Sequence, residues 1–366
     1  MTRSTTHEKE HIQLLLRIAF NRAASEECLA VVRQMGNSER EGFLRLAGSH
    51  HVVIRSIKAL HSASTSPSGA NGQSEELREW LESSLANEEL RVMNALHFLS
   101  QICAELEIAE CPTVVIKSLD HWPDIGNDLD LYTTGDEERV KQVMTGKFRA
   151  RQERPSWGDR LAHKLNFAVP GLRELVEVHV GRLGQTGEYR EMARRFVSRR
   201  ASVARAGRVF FVPAPEERVI AATLQRMYRH FYARVCDLVN TAQLIKSGIL
   251  NYDELRATTA AAGIWPGVAT FLCIVSDYAF RYGGEVLNLP SRVIDAARFA
   301  GSALEPRRSF LRVPIWPQGA ELYASQLGKC VFGGEAAAAF RLSLLPGLAS
   351  AAVIAERVTG SDKGIW

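Results

Sequence analysis

Apolar positions recur at helical spacing through the first hundred residues. Ile12, Leu15, Leu16, Ile18 and Ala19, followed by Cys28, Leu29 and Val32, predict a helix over His7–Met35. Phe43, Leu44, Leu46, Val52, Val53, Ile54, Ile57 and Leu60 continue the pattern over Glu39–Leu60. Leu77, Leu81, Leu85, Val92, Leu96, Leu99, Ile102 and Leu106 predict another helix over Glu75–Leu106. Between them Ser62–Ser74 reads SASTSPSGANGQS. It has nothing to bury and predicts a flexible loop.

The pattern changes at Val114. Val114, Val115 and Ile116 form a short apolar run, and Leu129–Tyr132 forms a second, both bounded by turn residues. Each predicts a buried strand. Gly135–Asp136 opens a helix over Glu137–Met144, and Phe148–Gln152, Leu165–Phe167 and Leu175–Val180 read as further strands. Glu188–Ala206 predicts an Arg-rich helix and Phe210–Val212 a short apolar segment. Pro213-Ala214-Pro215-Glu216-Glu217 then opens a long helix, Glu216–Ser247, with proline and acids in its first turn. Helices follow from Leu250 and over Trp265–Tyr282. From Gly301 the tail alternates Pro-containing loops with helices, and no repeat of fixed period occurs.

These elements predict an α+β fold, a small mixed sheet flanked by N-terminal and C-terminal helical regions. The expected division is 1–110 helical, with the flexible loop at 62–74, then 111–212 as the α/β core and 213–366 helical. A composition of 46% hydrophobic and 23% charged residues is that of a globular chain, which excludes disordered and fibrous classes. Net charge is only +4, and no aromatic-rich basic patch is present, so nucleic acid is not the expected partner. The positive excess is local. Arg194, Arg195, Arg199, Arg200, Arg205 and Arg208 read as a solvated helix face, or else as a phosphate- or RNA-holding one.

The six cysteines are scattered without a CxxC pair, which argues against a zinc ribbon and for buried thiols in a reducing cytoplasm. The first eleven residues hold no apolar run of the kind a secretory signal needs. Leu342–Ala355 is too short to span a bilayer, is interrupted by Pro346, and reads as a buried helix. A cytoplasmic protein without a membrane span is the expectation.

Candidate chemistry concentrates between Val114 and Val180. Asp128 and Asp130 stand two apart on a predicted strand and so project from one face. Paired carboxylates repel, and a divalent cation is the usual relief; a solvated strand edge is the bland alternative. Val176-Glu177-Val178-His179-Val180 supplies a third acid. Glu177 and His179 share a face there, and the valines share the other. His179 fits a substrate contact or a hydrogen-bonded structural histidine equally well. Asp120, His121 and Asp124 read as turn geometry in the intervening loop.

The ordered set is an apolar strand, Lys117-Ser118, nine residues, Asp128-Leu129-Asp130-Leu131, then Val176-Glu177-Val178-His179. It resembles the polymerase-beta-like nucleotidyltransferase superfold. More narrowly it resembles an uncharacterised bacterial nucleotidyltransferase family with a Leu-Lys-Gly segment, an Asp-x-Asp-Leu strand and a Val-Glu-Leu-His strand. Ala47-Gly48-Ser49-His50-His51-Val52, the Pro213–Glu217 segment with Tyr228-Arg229-His230, Arg234-Val235-Cys236-Asp237-Leu238 and Leu250–Leu255 extend the resemblance over residues 45–285. Ser118 replaces the family glycine, and residues 286–366 do not align.

The resemblance implies transfer of a nucleoside monophosphate from an NTP, with ATP the expected donor, to a small molecule, peptide or protein. Asp128, Asp130 and Glu177 would hold two Mg²⁺ ions. Lys117 and Ser118 would contact the triphosphate, although Lys117 is equally placed to cap the sheet edge. His179, His163, His230, Arg234 and Asp237 are the candidate substrate contacts. His230, Arg234 and Asp237 are expected on one helix, facing the cleft or forming a structural ion pair. A non-catalytic nucleotidyltransferase fold that serves as a binding or regulatory partner is the alternative.

Overall fold

The computed structural model describes residues 3–65, 75–183, 190–307 and 309–359. Within these residues the chain is α+β, with fifteen helices and three small sheets. Most of the expected loop over 62–74 lies outside the described residues; its first residues complete the helix Val53–Ser64.

The largest sheet contains β1 (Thr113–Val115), β2 (Asp128–Thr133), β3 (Arg151–Gln152), β4 (Lys164–Ala168) and β5 (Leu175–Val180), in the order β1-β2-β5-β4-β3. It is mixed: β2 and β5 run parallel, while the other three pairings are antiparallel. Alternation along each strand decides which side faces what. Leu129, Leu131, Val176, Val178, Leu165 and Phe167 pack with Leu96, Leu99, Ile102 and Leu106 of the helix Glu75–Ile108. The opposite side carries Asp128, Asp130, Glu177, His179 and Lys164.

The flanking helices pack on each other. Leu15 and Leu16 from the first helix, Cys28 and Phe43 share an apolar cluster with Leu238 of the helix Val235–Lys246 and Phe271 and Val275 of the helix Trp265–Gly283.

Several expected helices are divided. The first breaks at Asn21, whose side chain accepts the Ala23 N–H, giving Arg3–Phe20 and Ser25–Gln34. The second breaks at His50–Val52, with His51 at φ +52°, giving Asn37–Ser49 and Val53–Ser64. The new start is capped from a distance. The Asp124 carboxylate accepts the Ile54 N–H at 2.6 Å and the Arg55 N–H at 3.3 Å.

The Arg-rich helix expected to reach Ala206 ends at Ser198. A hairpin follows, β6 (Ala201–Arg205) and β7 (Arg208–Val212). Its two turn residues, Ala206 and Gly207, both take positive φ, the geometry that matches strand twist. The long helix Glu216–Ser247 is likewise two helices, Pro215–Thr223 and Val235–Lys246. A π-helical turn (Leu224–Arg229) and a two-residue strand, β8 (Tyr232–Ala233), separate them. Phe231 sits at φ +52° at the break.

The tail supplies the reason for that break. β9 (Glu305–Arg307) and β10 (Phe310–Arg312) form a hairpin whose β10 pairs with β8, so β8 takes its hydrogen bonds from the tail rather than from a helix. The segment read as a buried helix belongs to the helix Ala336–Thr359. Leu342 and Leu345 are buried there, but Phe340 and Leu344 are exposed, so its described side chains are covered along one stripe. Among the described residues no helix is long and apolar enough to cross a membrane.

Candidate active site

The polar side of the large sheet forms one wall of a cleft of about 180 Å³. Register sets its layout. Asp130 of β2 lies opposite Glu177 of β5, which lies opposite Asn166 of β4. One row along, Tyr132, His179 and Lys164 align in the same way. Ligand atoms of Asp130, Glu177 and His179 come within 4.8 Å of one another. The closest group is therefore this triad. Asp128 stands beside it, one pleat away on β2.

The charges on this wall are coupled. Burial, then the neighbouring Glu177 and Asp130 carboxylates, push Asp128 up to about 7. Burial alone would also raise Asp130, but the Lys117 ammonium and His179 together hold it well below the usual carboxylate range. Lys117 pairs directly with Asp130, and His179 Nε2 lies 3.5 Å from the same oxygen. Burial lowers His179 and keeps its imidazole neutral. Lys164 bridges Asp159 at 2.9 Å and Glu177 at 3.0 Å.

The turn after β1 fixes the acids in place. Lys117 takes φ +64°, and the Ser118 N–H folds back to the Ile116 carbonyl at 2.7 Å. The Ser118 hydroxyl accepts the Asp130 N–H at 2.9 Å and donates to the Asp128 carbonyl at 3.2 Å. Ser118 is buried, and its hydroxyl is committed to the β2 backbone. The side chain aligns the Asp-x-Asp strand.

The facing wall is helical and basic. His51, His121, Gln225, Arg226, Arg229, His230, Tyr232 and Arg234 line it. Its frame is a buried ion pair, Arg226 Nε to Asp237 Oδ2 at 2.6 Å. The same Asp237 carboxylate accepts the Arg234 N–H at 2.8 Å and so caps the helix Val235–Lys246. The His51 and His121 rings stack at 5.0 Å. Asn240 Nδ2 lies 3.1 Å from His121 Nδ1, and the Val235 N–H donates to His50 Nδ1 at 3.0 Å. Burial holds His50 down to about 4 and His121 to about 3, so both rings are neutral. Tyr232 stacks on Phe310 of β10 at 4.2 Å, which joins the tail hairpin to this wall. The π-helical turn that carries Arg226 and Arg229 leans on Gly267. A Cβ there would stand 2.3 Å from the Tyr228 hydroxyl oxygen.

Asp128, Asp130, Glu177, Lys117, Ser118, His230 and Arg234 all line the cleft. His179 sits under Asp130. Asp237 lies behind the basic wall. His230, Arg234 and Asp237 do not share one helix: the first ends a turn, the second caps a new helix and the third lies inside it. His163 is elsewhere, in a left-handed conformation at the end of the helix Trp157–Ala162, with Nε2 at 2.7 Å from Glu137. No local pattern in the sequence marks Arg226, Arg229, His51 or His121 as a site residue. An unbroken helical periodicity hides Arg226 and Arg229. His51 and His121 face the cleft only because a left-handed residue and a loop bring them there.

The sheet wall fits a divalent cation. Two carboxylates and a neutral imidazole converge, and a third carboxylate beside them is held up by burial and by the charge of the other two. No family model and no curated protein matches the chain. Among solved structures, an antigenic nucleotidyltransferase-like protein from Paracoccidioides brasiliensis is similar, at 17% identity and a TM-score of 0.31, over 47% of this chain and 86% of that one. A TM-score of 0.31 is too low to assign a shared fold.

Proposed function

We propose that this cleft is a nucleotidyltransferase centre: it moves a nucleoside monophosphate from an NTP to an acceptor and releases pyrophosphate. The observation that carries the reading is the register of the two parallel strands. It sets Asp130 against Glu177, with Asp128 and His179 alongside, facing a cleft whose other wall is basic. Divalent ions, expected to be two Mg²⁺ held by Asp128, Asp130 and Glu177, would neutralise charge on the attacking and leaving oxygens.

The chain's own part is to position and hold protons. The acceptor oxygen bonds to the α-phosphorus, the α–β bridging P–O bond breaks, and pyrophosphate leaves with that oxygen. Glu177 takes the acceptor proton. Lys117 and Lys164 compensate the carboxylates before substrate arrives. Ser118 keeps Asp128 and Asp130 in register. ATP is the expected donor. The acceptor is a small molecule, a peptide or a partner protein, and the setting is the cytoplasm.

Incubation with α-labelled NTPs, Mg²⁺ and a cell extract tests the reading, with Asp128→Ala as the control. Labelled acceptor is expected from the wild type alone. No transfer and no NTP binding would remove the reading's support. One observation favours the non-catalytic alternative: Asp130 and Glu177 each already hold an ammonium partner, Lys117 and Lys164. Mn²⁺ titration separates the two, because a non-catalytic fold binds Mn²⁺ no better than its Asp128→Ala variant.

A further inference from the structure

The two walls of the cleft carry opposite and incompletely balanced charge. On the helical wall, Arg226 is committed to Asp237 through Nε, leaving Nη1 buried and without a hydrogen-bond partner. Arg229 and Arg234 line the cleft and have no carboxylate ion-pair partner among the described residues. Arg234 spends its guanidinium on aromatic contacts, at 5.7 Å from the Tyr232 ring centroid and 5.9 Å from that of Phe310, with one long hydrogen bond to the Tyr232 hydroxyl. At the centre of this wall is His230. After burial, the neighbouring cations Arg229, Arg226, Arg234 and Lys117 hold its imidazole well below its ordinary pKa. Of these four cations Arg226 and Lys117 have carboxylate partners, Asp237 and Asp130, and Arg229 and Arg234 have none among the described residues.

The turn after β1 is differently placed. Lys117 is on Asp130, the Ser118 hydroxyl is on the β2 backbone, and the Ser118 N–H is folded onto Ile116. These are the atoms a phosphate would need, and each is already engaged.

We infer that the polyphosphate of the donor nucleotide is seated on Arg229 and Arg234 of the helical wall, not on the Lys117–Ser118 turn. The inference rests on the reading of the cleft as a nucleotidyltransferase centre and assigns the substrate subsite within it. Guanidinium groups present fixed donor forks that match phosphate oxygens two at a time, which suits this wall to a chain of phosphates better than a lysine point charge would. A metal-bound polyphosphate also closes the charge balance, since it places anions against the arginines and a cation against the acids. The cleft of about 180 Å³ is smaller than the roughly 300–1,000 Å³ of small-molecule pockets. His230 also borders a second opening of about 510 Å³, lined in part by Phe231 and Pro314, which offers room for the rest of the nucleotide.

The test is calorimetric binding of inorganic tripolyphosphate and of ATP to the full chain, with Mn²⁺ binding alone followed by electron paramagnetic resonance. Arg229→Gln and Arg234→Gln are each expected to weaken tripolyphosphate and ATP about tenfold, the usual order for one charged hydrogen-bonding group. Mn²⁺ binding without polyphosphate stays within twofold of the wild type. Lys117→Gln changes tripolyphosphate binding less than threefold. Arg229→Gln is the cleaner variant for folding because Arg229 holds no ion pair among the described residues, and Arg234→Lys with an unchanged melting temperature controls for lost packing on Tyr232 and Phe310. Wild-type-like affinity in both arginine variants, a larger loss in Lys117→Gln, or no tripolyphosphate binding by the wild type overturns the assignment. Failure of the transferase reading looks different: Mn²⁺ binding would then be indifferent to Asp128→Ala, whatever the arginine variants do.

Discussion

The sheet wall and the helical wall of the cleft face each other but are stabilised in opposite senses. On the sheet wall like charges are held together: Asp128 is pushed up by burial and by Glu177 and Asp130. At Asp128 that wall costs the fold stability and keeps its cation-binding character, while Lys117 and His179 hold the neighbouring Asp130 ionised. On the helical wall each buried charge is part of the frame: Arg226 and Asp237 pair, Asp237 caps a helix, and neutral His50 and His121 accept hydrogen bonds or contact Asn240. The difference separates residues kept for chemistry from residues kept for architecture. Substitution of Asp128 on the first wall should remove function and spare the fold; substitution in the buried Arg226–Asp237 frame of the second should do the reverse. The largest expected effect tests the first half. Asp130→Asn should lower label transfer about 10³-fold, because a lost metal ligand forfeits several kcal/mol of charge stabilisation. Asp128→Asn should lower transfer comparably and raise metal-free stability by about 1 kcal/mol as the repulsion goes. A melting temperature that drops in Asp128→Asn would break the comparison.

The second half predicts the opposite pairing. Asp237→Ala strands the buried Arg226 guanidinium and removes the cap on the Arg234 N–H. Breaking one partner of a buried pair should cost about 3 kcal/mol in urea unfolding. Mn²⁺ binding in the fraction still folded should be unchanged, since Asp237 lies behind the wall. If Asp237→Ala unfolds no more readily than the wild type, the helical wall is not architectural in this sense.

Acid titration sets the walls directly against each other. His50 and His121 are lowered to about 4 and about 3 by burial. Below the ordinary histidine value near 6.5 the unfolded chain takes up protons that the folded chain refuses, so stability falls as pH drops. The expected loss is about 2 kcal/mol per histidine between pH 6.5 and 5. Asp128 acts the other way. Its folded pKa of about 7 lies above the unfolded value, so the folded chain binds the extra proton and stability rises as pH falls from about 7 toward 4. Asp128→Asn should therefore steepen the acid loss, and His121→Gln should shallow it. Urea midpoints at pH 7, 6 and 5 read both slopes.

The two walls also differ in how far the sequence exposes them. The sheet wall is written in local alternation: Asp128 and Asp130 are two apart, as are Glu177 and His179, and period two alone puts each pair on one face. The helix Glu75–Ile108 behind that sheet is equally plain from its apolar spacing. The helical wall has no such local record. His51 reaches the cleft through a left-handed residue, and Arg226 and Arg229 sit on a widened turn. Arg234 is a helix cap only because β8 pairs with a hairpin some eighty residues later in sequence. Helical periodicity over Glu216–Ser247 is real, but it survives an interruption over residues 224–234 that only tertiary pairing reveals. The β6–β7 hairpin is hidden in the sequence for a related reason. Its arginines suit a helix face as well as a strand, and the decisive signal was the turn at Ala206–Gly207.

The smallest expected effect concerns a residue that sequence order placed near the chemistry and the fold moves away. His163 directly precedes Lys164, whose ammonium reaches Glu177, yet its own ring turns outward to Glu137. The reason is local. His163 ends a helix in the left-handed region, and Lys164 begins β4, so the two side chains leave the backbone in different directions. The His163–Glu137 pair is partly exposed, and such pairs contribute about 0–1 kcal/mol. His163→Asn keeps a residue type that tolerates the positive φ at that position. Label transfer and Mn²⁺ binding should match the wild type, and stability should change by less than about 0.5 kcal/mol. Lys164→Gln, one residue along, should lower transfer measurably by leaving Asp159 and the metal-ligand candidate Glu177 uncompensated. Equal effects from these two neighbours would mean that the boundary of the sheet wall lies farther out than Lys164.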